Sequence, residues 1–149
     1  ISLLLLLVSV IGISSYFLFK DKINLLDVDH SAVDWNGKKQ KDTSGEENTI
    51  AIPGFEKVTL YANETTQAVN FHNPEINDCY FKISLIHPDG SVLWISDLIE
   101  PGKGMYSIEL EKTLAVGEYE NAVLKYECFS LNDQSPLNGS EINLKLVVV

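Results

Sequence analysis

Arginine is absent from the chain, and cysteine (two), histidine (three) and methionine (one) are scarce. Each shortage removes a class of function. Arginine's planar fork is the preferred group for gripping phosphate and base edges. Here 11 basic residues, all lysine, stand against 21 acidic ones, for a net charge of −10. Such a surface excludes nucleic acid as an electrostatic partner and reads as a solvated coat. His30, His72 and His87 show no ligand spacing with the cysteines, so no zinc site and no cofactor are expected. Asp27, Asp29, Asp34 and Asn36 cluster, but the glycine and closing glutamate of a calcium loop are missing, and a charged linker is the plainer reading.

Catalytic signatures are missing too. The chain has no G-x-S-x-G, no H-E-x-x-H and no glycine-rich phosphate cradle, so it is expected not to be an enzyme. Asp97 and Glu100 are the one carboxylate pair to weigh, since paired carboxylates serve glycoside hydrolysis. They underlie an alternative reading, a carbohydrate-active or hydrolytic surface domain. Nothing in the sequence sets their separation, and a solvated loop suits them better.

What the chain has is one long apolar run. Ile1–Phe19 carries no charge, and Lys20, Asp21 and Lys22 come directly after it. About twenty such residues in a helix span the ~30 Å hydrocarbon layer. Cleavage before Ser15 would make the run a secretory signal, but Tyr16–Phe19 then continues it where a polar start is expected. The expectation is a single-pass signal anchor over residues 1–20. Lys20 and Lys22 alone would favour a cytoplasmic domain. Signal anchors habitually translocate the domain C-terminal to them, and two cysteines suit an oxidising exterior; both favour an extracytoplasmic one.

Residues 21–48 lack sustained periodicity and are expected to form a polar tether, with Leu25, Leu26, Val28 and Trp35 as its apolar exceptions. From residue 49 to 149 the texture becomes short alternating runs broken by turn residues. Strands are expected at Ile50–Ile52, Lys57–Ala62, Ala68–His72, Cys79–Ile86, Ser91–Ser96, Met105–Glu111, Tyr119–Leu131 and Glu141–Val149. His87-Pro88-Asp89-Gly90 is a turn, and Asn132–Gly139 a polar loop. Alternation puts Tyr106, Ile108 and Leu110 on one face of their strand. With no amphipathic helix, the fold class is all-β: an immunoglobulin-like antiparallel β-sandwich preceded by one N-terminal transmembrane helix, with a small barrel or jelly roll as runner-up. Leu114 to Tyr119, a leucine and glycine turn leading a tyrosine into a long strand, fits the first.

Cys79 and Cys128 both fall on apolar strand faces, where they are either a disulfide, the favoured expectation, or two buried free thiols. For ligand contact, the aromatic candidates are Trp94 and Tyr61, with Tyr80 and Phe129 beside them. For Trp94 the bland alternative is a place in the core.

Ile52–Phe55, Phe71–Glu75, Cys79–Phe81, Ser96–Gly102 and the run from Glu118 to Cys128 together resemble a group of small membrane-anchored extracytoplasmic β-sandwich proteins of Gram-positive bacteria. The resemblance implies bacterial origin and surface display, and it brings no activity or site residue with it. The function expected is a module for binding or scaffolding at the cell envelope. Its partners would be the membrane, through residues 1–20, and an envelope protein or cell-wall component.

Overall fold

A strict period of two drives Cys79, Phe81, Ile83 and Leu85 to one side of a strand, and all four are buried. The same rule buries Ala122, Leu124, Tyr126 and Cys128 on a second strand and Leu144, Leu146 and Val148 on a third. The computed structural model describes residues 25–37 and 50–149. Within them lie eight strands: β1 Val33–Asp34, β2 Lys57–Leu60, β3 Thr66–His72, β4 Cys79–Ile86, β5 Val92–Ile95, β6 Lys103–Glu109, β7 Gly117–Ser130 and β8 Pro136–Val148. No helix occurs among the described residues, and none there is long and apolar enough to cross a membrane. The anchor expected over residues 1–20 lies outside the described residues.

Two sheets share these strands. The major sheet has five, in the order β2-β8-β7-β4-β5, and the minor sheet three, in the order β1-β6-β3. The chain alternates between them: β3 is minor, β4 and β5 major, β6 minor, β7 and β8 major. The common core joins Phe71, Met105 and Ile108 of the minor sheet to Phe81, Trp94, Leu124 and Leu146 of the major one. Phe71 and Trp94 meet at 5.8 Å between ring centroids.

Several expectations are corrected. The all-β fold is not wholly antiparallel, because β2 runs parallel to β8, from Lys57 opposite Lys145 to Leu60 opposite Val148. Ile50–Ile52 forms no strand; Ala51 instead exchanges two hydrogen bonds with the Asn77 side chain, at 2.7 and 2.8 Å. β8 starts at Pro136, inside the expected polar loop, leaving a short turn after Ser130. Tyr106 does not share a face with Ile108. The ladder shifts between Ala68 and Phe71, where β3 carries one extra residue against Ser107 and Met105 of β6. That bulge breaks the alternation, so Tyr106 turns outward while Met105 is buried.

Residues 25–37 differ most from expectation. Placed in the tether by composition, they lie on the domain. The Asp29 amide donates to Leu98 O at 2.8 Å, and the Leu98 amide donates to Asp27 O at 3.0 Å. Val33 and Asp34 pair with Gly104 and Lys103 as the edge of the minor sheet. Ala32 enters the core. Gln134 holds the start of the segment, its side chain accepting from the Leu26 amide and donating to the Leu26 carbonyl.

Candidate functional site

Where the minor sheet meets the β3–β4 connection, one tight turn sets the geometry. Glu100-Pro101-Gly102-Lys103 closes with the Lys103 amide donating to Glu100 O at 3.1 Å. Proline second and a left-handed glycine third, with Gly102 at φ +79°, is the pattern of a type II turn. The turn aims the Gly102 carbonyl at the Trp35 amide, 2.9 Å away. Gly104 then gives Trp35 room. A methyl group there would sit 2.8 Å from Phe71 O and 3.0 Å from Trp35 Cδ1.

Trp35 is fixed from two further directions, and its neighbour Asn36 from a third. Its ring stacks on His72, with centroids 3.8 Å apart and planes 8° from parallel. Its indole N–H donates to Asn70 Oδ1 at 2.6 Å. Asn70 sits in the β3 bulge, where the extra residue re-aims a side chain. The Asn36 amide donates to the Tyr106 hydroxyl, which donates back to Asn36 Oδ1, both at 3.0 Å. The outward turn of Tyr106 is what makes this clasp possible.

The opposite wall is the loop after β3, pinned by buried amides. Asn73 Nδ2 donates to Cys79 O and Ile99 O at 2.8 and 2.9 Å. Asn77 Nδ2 donates to Asn73 Oδ1 at 2.9 Å. These bonds satisfy buried polar groups that are costly to leave unpaired. They leave Glu75 and Ile76 projecting, with Ile76 80% exposed. Between the walls is a recess of about 530 Å³, lined by Trp35, Asn36, His72, Glu75, Ile76 and Gly102 among others. That volume lies within the range of small-ligand sites. It offers an aromatic plate, an amide, a carboxylate and an apolar tip. Among the described residues no nucleophile with a base lines it. A shallower recess of about 380 Å³ runs along the β7–β8 bulge near Phe129, Leu137 and Glu141.

The residues singled out from the sequence lie elsewhere. Trp94 is a correction, 7% exposed and part of the core. It sits opposite Leu85, and the ladder shifts beside it, so Leu93 takes up the slip and the indole shares the inner face with Leu85. Tyr61 is exposed, but it comes after β2 while Trp94 lies on β5, at opposite edges of the major sheet. The structure does bring Tyr80 and Phe129 together, as cross-strand partners on β4 and β7. Asp97 is held through its backbone and Glu100 through its carboxylate. The Asp97 amide donates to Asp29 Oδ2 at 3.1 Å, and Glu100 pairs with Lys103 at 3.3 Å. Among the described residues no three His, Cys, Asp or Glu side chains converge on a metal position.

The expected disulfide is not formed; Cys79 and Cys128 are buried free thiols. They occupy a diagonal of the β4–β7 ladder, since Cys79 faces Ser130 and Cys128 faces Phe81. Their contact is a thiol–thiol hydrogen bond, which lowers the Cys79 pKa and raises that of Cys128; burial pushes Cys128 further up.

The sequence reading missed Trp35, His72 and Asn70. The available sign was an aromatic residue inside an otherwise polar stretch. The structural sign, a bulge that turns Asn70 toward it, has no local signature. Comparison with protein-family models, with curated proteins and with solved structures found no match to the chain.

Proposed function

We propose that the chain is a single-pass, membrane-anchored extracytoplasmic module that binds a component of the bacterial cell envelope, with the Trp35–His72 recess as its ligand seat. The observation that carries this reading is the fixing of Trp35. Three contacts hold one half-buried tryptophan at the rim of a cavity, the His72 stack and the Asn70 bond on its ring and the Gly102 carbonyl on its backbone amide, in a segment whose composition alone would leave it loose. A rigid aromatic beside an amide and a carboxylate suits a saccharide or a short peptide better than a reaction. The reading carries no enzymatic step. The apolar run Ile1–Phe19 supports the anchor, and the chain order of the strands supports an immunoglobulin-like sandwich. Tyr119 adds to this: its hydroxyl donates to Ala115 O at 2.9 Å, four residues upstream at the mouth of the longest strand, in the manner of a tyrosine corner.

Titration of the full chain in detergent with solubilised cell-wall fragments tests the reading. Tryptophan emission changes on binding, and Trp35→Ala abolishes binding while the protein still unfolds cooperatively. Equal binding by Trp35→Ala overturns the assignment of the seat.

A further inference from the structure

Only six residue steps separate Phe19, the end of the apolar run, from Leu25, the first described residue, whose neighbour Leu26 is bonded to the domain. Even fully extended they reach about 20 Å. The fourteen residues of β7 alone cover about 45 Å. The leash is therefore shorter than the domain is long, so it keeps one end near the membrane and ties nothing at the other end to it. Leu25 and Leu26 select the end, because Gln134, in the turn between β7 and β8, grips the Leu26 backbone through both its N–H and its C=O.

From this we infer, building on the anchor reading above, that the β7–β8 turn end of the domain rests on the lipid surface of the membrane that its own apolar segment enters. The side chains that meet the lipid are Leu25, Leu26, Leu131 and Leu137, all exposed and all at this end. Exposed apolar residues also occur at the far end, Val116 and Val149 among them, so exposure alone does not decide the contact. The leash does. The partner surface is zwitterionic: Asp27 and Asp133 lie at this end, and the hydrogen bonds from Ser135 to Asp133 hold its carboxyl below the usual range, hence charged. Burying the four leucine side chains at the headgroup boundary offsets the ordering of the domain against the bilayer.

The consequence is positional. β3, β6 and the β3–β4 loop bring the Trp35 recess to this same end, since Cys79, where that loop rejoins the major sheet, faces Ser130 beside the β7–β8 turn. The ligand seat then opens in the layer next to the membrane.

The test uses the full chain in phosphatidylcholine vesicles, with an environment-sensitive fluorophore on Leu137→Cys, Leu131→Cys or Val116→Cys. The native thiols are each 1% exposed and do not compete for label. Nitroxide placed on the lipid headgroups is expected to quench strongly at positions 137 and 131 and to leave position 116 unquenched. Vesicle flotation runs in parallel. A chain that floats with position 137 unquenched, or with 137 and 116 quenched alike, overturns this inference and leaves the anchor standing. A chain that stays at the bottom of the gradient overturns the anchor reading and this inference with it.

Discussion

The central β4–β7 pair of the major sheet and the minor sheet differ in regularity; the major sheet's own shifts lie outside that pair, on its β4–β5 and β7–β8 ladders. In the major sheet β4 faces β7 without a break from Cys79–Ser130 to Ile86–Val123, and its inner positions keep the period of two. In the minor sheet a bulge interrupts β3, β1 is two residues long, and a non-adjacent segment supplies the edge. The regular pair supplies Phe81, Ile83, Leu85, Leu124 and Tyr126 to the core. The minor sheet, with its bulge and its borrowed edge, positions Trp35, His72, Asn70 and Tyr106. Stability is concentrated where the pattern is simple, and the candidate site where it is broken. Bulges and strained turns collect at sites because they aim side chains that a plain strand would leave pointing up or down.

The strongest challenge to that division is Phe81→Ala. Phe81 is fully buried and meets Tyr126 edge-on at 5.3 Å. Its truncation is expected to cost about 3–5 kcal/mol, read from the urea midpoint at constant slope. A cost below about 1 kcal/mol would place the core's weight elsewhere. Next in size is Gly104→Ala in the minor sheet. The added methyl meets Phe71 O, His72 Cβ and Trp35 Cδ1 at 2.8–3.0 Å, none of them the free end of a flexible chain. The expected cost is about 1–3 kcal/mol, together with a change in Trp35 emission. Loss of stability with unchanged emission would detach Gly104 from the site.

A smaller effect of opposite sign belongs to Tyr126. Its hydroxyl is buried and has no hydrogen-bond partner among the described residues. Tyr126→Phe is expected to stabilise the protein by about 1 kcal/mol, the reverse of most core changes. Burial also raises the tyrosine pKa, so the folded state prefers the neutral form. Its contribution is complete below the unfolded value near ~10 and is lost as pH rises beyond it. The variant should therefore resist alkaline unfolding more than the parent, as measured by circular dichroism.

The smallest effect is at the β4–β5 hairpin. Hydrogen bonds from the Ser91 hydroxyl and amide, then from His87, hold the Asp89 carboxyl below its usual range. A depressed carboxylate stabilises above its unfolded value near ~4, and that contribution is lost as pH falls. Asp89→Asn should flatten the acid limb of the stability curve, because the contribution it removes is present at neutral pH and already lost in acid. An unaltered acid limb would assign acid sensitivity elsewhere.

Legibility in the sequence divides along the same line. β4, β7 and the end of β8 were readable because each inner residue is apolar and each alternation continues. The His87–Gly90 turn was readable from its residue types, and its Gly90 amide donates to His87 O at 2.8 Å. Trp94 and Tyr106 were misplaced because a bulge moves side chains across faces without changing composition. Residues 25–37 were given to a tether because their partners, Leu98, Gly102 and Gln134, are distant in the chain. Periodicity reports only neighbours, and the site is made from contacts between distant segments.

The most direct test of the account is photo-crosslinking in intact cells. A photoreactive residue replaces Ile76, at the mouth of the recess, in the full chain. The account predicts one dominant adduct to an envelope component, lost on Trp35→Ala and absent when the same residue replaces Val116. Adducts that persist without Trp35, or that form equally from position 116, would contradict it.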